Sequence, residues 1–553
     1  MKKTILLTTI CILLWNCQSK KTMTEQAPFD WKAANVYFLL TDRFANGDPN
    51  NDNLIKRDLP TGVLRGFMGG DLKGITQKIE EGYFTNLGIN AIWMTPIVEQ
   101  IHGAVDEGTG NTYGFHGYWT KDWTAIDPSY GTKADLKELV EKAHAKGIRI
   151  VLDAVINHTG PVTDLDPVYP ESWVRTAPKC TYDNYQNFID CTLVENLPDI
   201  KTESNENVEL PPMLVEKWKK EGRYEEEIKE LDAFFAKTGY PRAPKYYIMK
   251  WLADYITEFG IDGYRVDTVK HTTEDVWADF AKVCKDAFAA YKKANPKKVL
   301  DDNDFFLVGE VYGYGLHGKQ IYDFGDKKVN YFENGFDFLI NFDFKGDANK
   351  NYEELFSYYD KILQTEMGTY SVMNYLTSHD DGWPFDKKRE RTFEAATKLL
   401  LAPGVAQIYY GDETARSLEI EGTQGDATLR SFMNWDDVQN NAKTKALLTH
   451  YQKLGTFRAN HPAVGAGKHQ KLADAPYTFS RTYSNKKMLD KQNYTDVVVV
   501  AIDASKGAKT IQVDNAFAEG SKVRDAYSGM IGEVKNGKVN INSNETIVLL
   551  EKM

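Results

Sequence analysis

The sequence predicts an α/β protein: a (β/α)8 TIM barrel with an inserted domain after strand 3 and a C-terminal antiparallel β-sandwich domain. Three observations carry that expectation. Five apolar, β-forming stretches end abruptly in carboxylates: RIVLD at Asp153, GYRVD at Asp267, FFLVGE at Glu310, YLTSHD at Asp380, and IYYGDE at Asp412 and Glu413. Buried parallel strands read as near-continuous Val/Ile/Leu runs, and a barrel collects its reactive groups at the carboxyl ends of its strands. Strand and helix signals alternate from Asn35 onward, as βα units do. After His461 the pattern turns to short alternating strands with Gly/Asn turns.

Taken in order, the chain opens on a targeting segment. Met1-Lys2-Lys3 supplies a positive start, and Thr4 to Leu14 an apolar run too short to span a bilayer. Cys17 follows Leu14-Trp15-Asn16, and the segment resembles a bacterial lipoprotein signal whose cysteine is lipidated after cleavage. An ordinary secretory signal cleaved near Ser19 is the alternative. Either way the mature chain is expected to be exported, and on the lipoprotein reading it is a periplasmic or cell-surface protein that touches a membrane only through its N-terminal lipid. The expected division is 1–16 signal, 17–31 tether, 32–158 with 244–461 barrel, 159–243 inserted domain, and 462–553 C-terminal β domain.

Eight barrel strands are expected at Val36–Thr41, Ala91–Thr95, Arg149–Asp153, Gly263–Asp267, Phe306–Glu310, Phe336–Phe342, Val372–Leu376 and Ala406–Tyr410. Helices fall between them. Thr132 with Asp135 forms a capping-box pattern that places Leu136, Leu139, Val140 and Ala143 on one face. Ile248, Trp251, Leu252, Tyr255, Ile256 and Phe259 follow the spacing of an amphipathic helix. From Thr159 to Ala243 the rhythm breaks into a Pro-, Asp- and Glu-rich excursion with a charged helical piece around Glu216–Lys237. Excursions on carboxyl-end loops are where barrel enzymes gain specificity. C-terminal strands are expected at Asp496–Ile502, Thr510–Val513 and Thr546–Glu551.

Composition narrows the function. A chain of 553 residues, 42% hydrophobic and 26% charged, fits a globular protein of two or three domains. With 67 basic against 79 acidic residues and no long basic run, a nucleic-acid partner is excluded. A monomer is the expected assembly. Cys11 leaves with the signal, and Cys180 and Cys191 lie close in a loop-rich region of an exported protein, so a disulfide is expected. Cys284 falls in the amphipathic run Asp275 to Tyr291 and reads as a small buried apolar residue. No CxxC or zinc spacing occurs.

The chemistry concentrates in GYRVDTVKH (Gly263–His271). Arg265 and Asp267 are two apart on a strand and share a face. A guanidinium beside a carboxylate favours the ionised form that a nucleophile needs. Glu310 ends an apolar run, where desolvation favours the protonated form of a general acid. Retaining glycoside hydrolysis follows, with Asp267 attacking the sugar and Glu310 protonating the leaving oxygen and then activating water. That chemistry requires the two carboxyl groups about 5–5.5 Å apart. Any one strand-end acid alone would read better as a helix N-cap or a loop salt bridge.

The strings DAVINH (Asp153–His158), LPDI (Leu197–Ile200), GYRVDTVKH, GEVYG around Glu310, LTSHD ending at Asp380 and PGVAQIYYGDE (Pro403–Glu413) occur in that order. INAIWMTPI (Ile89–Ile97) and YGFHGYW (Tyr113–Trp119) accompany them. Together they resemble the α-amylase family, glycoside hydrolase family 13, from about Val36 to Trp435. The resemblance implies Asp267 as nucleophile, Glu310 as acid/base and Asp380 as the third carboxylate, which holds sugar hydroxyls. It also implies Arg265, His158 and His379 around the sugar at the cleavage point, Tyr118 as its aromatic platform, and Lys270 with His271 on the leaving-group side. LPDI is closer to the α-amylase form than to the QPDLN or MPKLN forms, which favours α-1,4 endo-hydrolysis of starch, glycogen or maltodextrins. A transglycosylase, or a debranching or cyclomaltodextrin-hydrolysing member, is the alternative within the family. A non-catalytic glucan-binding lipoprotein is the alternative outside catalysis, and the presence of all three carboxylates counts against it.

The same resemblance implies Ca²⁺, which takes several hard oxygen ligands. Asn157, Asp199 and the carbonyl of His271 would tie the inserted domain to the barrel. A second site would use Asn46, Asp48, Asn51 and Asp52 of TDRFANGDPNND with Gly69 and Asp71 of FMGGD. That loop alone reads equally as a polar Asx/Gly turn without metal.

Overall fold

The computed structural model describes residues 27–485 and 494–553. The signal, Cys11 and Cys17 lie outside the described residues. Eight strands close a parallel barrel: β1 (Asn35–Leu39), β2 (Ala91–Met94), β3 (Arg149–Ala154), β4 (Gly263–Val266), β5 (Phe306–Gly309), β6 (Phe338–Asn341), β7 (Ser371–Asn374) and β8 (Val405–Tyr409). Each pairs with its neighbours in chain order, and β8 closes on β1 with Val36 opposite Gln407. All eight overlap the predicted runs. Several end one or two residues early, so Asp267 and Glu310 sit on the rim just past β4 and β5. Their backbones stay pinned there: Asp267 N–H donates to Ala154 O at 3.0 Å and Glu310 N–H to Val266 O at 2.9 Å.

The outer helices follow from caps and apolar faces. In Lys133–Ala145 both halves of the Thr132/Asp135 capping box form, and Leu136, Leu139, Val140 and Ala143 are the buried residues. Pro244–Phe259 starts on a proline and stops at Gly260, whose φ of 73° is left-handed. A Cβ at Gly260 would collide with the Tyr291 ring of Glu274–Ala294, so the position needs glycine twice over. Between β3 and Pro244 the charged piece expected as one helix is two, Pro212–Glu221 and Tyr224–Thr238. Gly222, at φ 75°, caps the first and turns the chain. Cys180 and Cys191 form a disulfide in the same excursion, and Cys284 is buried and free.

Beyond the barrel lie β9 (Lys468–Asp474), β10 (Tyr477–Asn485), β11 (Tyr494–Ile502), β12 (Gly507–Gln512), β13 (Lys522–Asp525), β14 (Ile531–Glu533), β15 (Lys538–Ser543) and β16 (Val548–Lys552). Six of them form an antiparallel sheet ordered β9-β10-β11-β16-β13-β14, which packs on the two-stranded antiparallel sheet β12-β15. Strand alternation gives β11 two buried faces. Val498, Val500 and Ile502 join the barrel's core cluster, while Val499 and Ala501 pack with Ile511, Val539 and Leu550 inside the sandwich. At this junction His461 sits between Asp496 at 2.8 Å and Glu551 at 2.7 Å. Burial opposes its charge, but the two acids win and raise its pKa to about 9. Among the described residues no helix is long and apolar enough to cross a membrane.

Candidate active site

The register that pairs β3 with β4 sets Arg265 opposite Asp153. The Arg265 guanidinium, 1% exposed, reaches Asp267 Oδ1 at 2.7 Å, Asp153 Oδ1 at 3.0 Å and Glu310 Oε2 at 3.6 Å. One buried cation thus touches the two acids read as nucleophile and proton donor. Glu310 also accepts the Thr268 N–H at 2.8 Å. Burial, with Asp267 and Asp380 adding to it against Arg265, pushes the Glu310 pKa up to about 8. Its carboxyl group therefore carries a proton at neutral pH. Thr268, a β-branched residue at φ 50°, is backbone held out of its preferred region between the two acids.

Asp380 stands one-third exposed, its Oδ1 accepting from Ser378 Oγ at 2.8 Å and lying 3.8 Å from His379 Nδ1. Burial pushes its pKa up, but His379, Arg265 and the Ser378 hydroxyl outweigh that and hold it below the usual value. Tyr118 stacks on His379 with centroids 5.2 Å apart and donates its hydroxyl to Asp153 Oδ2 at 2.8 Å. His158 Nε2 lies 3.2 Å from the Tyr118 carbonyl. Burial depresses both histidine pKa values, that of His379 to about 4, so both rings are neutral. The Nδ1 atoms of His158 and His379 and the Nε of Arg265 are buried without a protein hydrogen-bond partner.

Lys270 and His271 follow on the turn after β4. Lys270 Nζ donates to the Tyr312 carbonyl at 2.9 Å, and burial lowers its pKa. His271 Nδ1 instead engages the Phe188 carbonyl at 2.9 Å, tying this turn to the excursion after β3. Burial brings its pKa to about 4.

Among the described residues no group of three or more His, Cys, Asp or Glu side chains is placed to hold a metal ion. The predicted calcium ligands combine the carboxylates of Asp199, Asp48, Asp52 and Asp71 with amide and backbone carbonyl oxygens. At the first set, Asp199 Oδ1 and the Asn157 amide nitrogen are buried without partners, and Arg175 Nε reaches the other Asp199 oxygen at 3.2 Å. Burial raises the Asp199 pKa well above the usual value, a cost that a nearby cation relieves. At the second set, Asn46 bonds both Asp52 oxygens at 3.0 Å, and Asp71 accepts the N–H groups of Gly47 at 3.0 Å and Asp48 at 2.8 Å. Asn51 Oδ1 is buried without a partner. Gly69 has φ 87°, and a Cβ there would press on Asn46 Nδ2 at 2.5 Å and Asp52 Oδ1 at 2.8 Å. The oxygen atoms of both sets are of the hard kind that Ca²⁺ takes, with Asp48 already paired to Lys73 at 3.0 Å.

Two strand-end acids belong elsewhere. Asp412 pairs with Arg389 at 2.8 Å, and Glu413 accepts the hydroxyls of Tyr37, at 2.6 Å, and Tyr83. Gly411, at φ 86°, turns the chain after β8 and aims them into the fold. Conversely Asp153, one of the strand-end acids but outside the predicted site set, is a central member. It receives Trp93 Nε1 at 3.1 Å besides Tyr118 and Arg265, and burial raises its pKa to about 6. Thr268, with its left-handed backbone between the two acids, carries no residue-type pattern that would mark it in the sequence.

Residues 38–454 match the family described as alpha amylase, catalytic domain. The chain is 36% identical over 521 residues to the periplasmic alpha-amylase of Escherichia coli K12, covering 84% of this chain and 72% of that one. It is 26% identical over 530 residues to a cyclomaltodextrin glucanotransferase of Geobacillus stearothermophilus, covering 93% of this chain and 65% of that enzyme. A beta/alpha-amylase of Paenibacillus polymyxa is 27% identical over 531 residues, covering 93% of this chain but 37% of that protein. The solved structure of an Anoxybacillus alpha-amylase superposes with a TM-score of 0.63 at 26% identity, covering 95% of this chain and 99% of that one. Fold, site and relatives together define a barrel glycoside hydrolase. The chain belongs to the α-amylase family.

Proposed function

We propose that the enzyme cleaves internal α-1,4 bonds of starch, glycogen or maltodextrins with retention of configuration. Asp267 attacks the anomeric carbon while Glu310 gives its proton to the leaving oxygen, leaving a glycosyl ester on Asp267. Glu310, now a carboxylate, takes a proton from water as that water displaces Asp267. Asp380, His158, His379 and Arg265 hold the sugar hydroxyls, with Tyr118 beneath the ring. Bonds that tighten as the ring gains positive charge lower the barrier more than bonds equal throughout. The observation that carries this reading is the single buried guanidinium 2.7 Å from Asp267 and 3.6 Å from a Glu310 whose pKa is about 8.

Lys270 and His271 serve the leaving-group side. Asn157, Asp199 and the His271 carbonyl, and separately Asn46, Asp48, Asn51, Asp52, Gly69 and Asp71, would hold Ca²⁺, which supplies a structural cross-link when bound. Residues 159–243 act as an inserted domain on the groove. The relationship to a periplasmic enzyme supports export, and Cys17 is proposed as the lipid anchor. In that case Cys17→Ser moves the protein from the detergent phase to the aqueous phase.

Incubation with amylose, pullulan and a cyclodextrin, with products resolved by chain length, tests the activity. Amylose is expected to yield short maltooligosaccharides. Predominant transfer products, or cleavage of pullulan in preference to amylose, would replace endo-hydrolysis with the family alternative. Glucan binding without turnover would replace it with a binding module.

A further inference from the structure

Trp383 is 84% exposed, the most exposed large hydrophobic side chain among the described residues. Single exposed apolar residues are ordinary, but this one is held in place by a built loop. Asp381, 3% exposed and next to Asp380, accepts the Trp383 N–H at 3.1 Å and the Tyr375 hydroxyl at 2.6 Å, and pairs with Lys345. On the other side Phe385 N–H donates to the Leu376 carbonyl at 3.0 Å. The indole therefore projects from a clamped turn.

It borders a trough of about 470 Å³ whose wall also includes Phe342, Asp343, Asp347, Asn349 and Phe385. Phe342 lies against Tyr312, with ring centroids 5.0 Å apart, and Tyr312 follows Glu310 by two residues and is 49% exposed. Tyr312, close to Glu310 in the chain, thus meets Phe342, which shares the trough with the exposed Trp383. The proton donor stands on the leaving-group side by the nature of its task. The trough therefore prolongs the groove in that direction.

Resting on the hydrolase reading above, we propose that this trough binds the leaving-group portion of the glucan, with Trp383 stacked on a glucose ring. A pyranose offers an apolar C–H face to the electron-rich indole face while its hydroxyls point sideways. Asp343, Asp347 and Asn349 supply hydrogen-bond partners for those hydroxyls. Trp383 then sets the preference for long chains.

The test is the ratio of kcat/KM on amylose to kcat/KM on a chromogenic maltoside too short to reach the trough. Trp383→Ala is expected to lower that ratio about tenfold, the loss of one anchoring apolar contact, through KM rather than kcat. Trp383→Phe should restore most of it. Both variants should melt at the wild-type temperature, so the change is not one of folding. An unchanged ratio in Trp383→Ala overturns the proposal, as does a wild-type dimer that this substitution dissolves. Wild-type protein inert on both substrates would instead overturn the hydrolase reading itself.

Discussion

Arg265 lies 2.7 Å from Asp267 and 3.6 Å from Glu310. Glu310, buried and farther away, keeps its proton up to about pH 8. Glu310→Gln is expected to lower kcat by about 10²–10⁴-fold, the usual worth of a positioned proton donor. Asp267→Ala should cost at least as much. Calorimetric titration with a maltooligosaccharide should still show binding in both. In the proposed mechanism Glu310 acts protonated, so kcat/KM should fall as pH rises through about 8. The depressed pKa of Asp380 should preserve its charge further into acid, where an unperturbed carboxylate would already be neutral. A pH–rate profile with no alkaline limb would reassign the acid.

At the scale of elements, most of the barrel was legible because buried parallel strands leave continuous apolar runs, and the acids mark where each run meets water. The Arg265/Asp267 pair was legible from its two-residue spacing. The role of Asp153 was not, because its partners come from β2, β4 and the loop carrying Tyr118, and only the register joins them. Asp412 and Glu413 misled for the opposite reason: the glycine turn that redirects them leaves the local pattern unchanged. The broken helix at Gly222 shows the same limit, since a charged run with helical spacing says little about where a left-handed glycine stops it. Caps were easier, being contained in four residues. Thr132→Ala should destabilise the protein by about 1 kcal/mol, measured by urea unfolding, since both halves of the box are formed.

For the whole molecule, chelation should lower the melting temperature, because a ligand bound only by the folded state stabilises it by mass action. An unchanged transition in metal-free buffer would remove calcium from both donor sets. The junction between barrel and sandwich has its own pH signature. His461 has a folded pKa of about 9, above its unfolded value, so its contribution is complete below about pH 6.5 and is lost as pH rises toward 9. Glu551 moves the other way: burial is outweighed by His461 and Arg524, and its contribution fades in acid. Melting temperature should therefore decline from neutral to pH 9, and His461→Gln should flatten that decline.

β11 has one side in the barrel's core and the other in the sandwich. Neither half can lose this strand without exposing apolar surface in the other, so heat should bring both down together. A chain cut short before Tyr494 would leave the enzyme with an open seam. Limited proteolysis of intact protein should accordingly release no stable catalytic fragment.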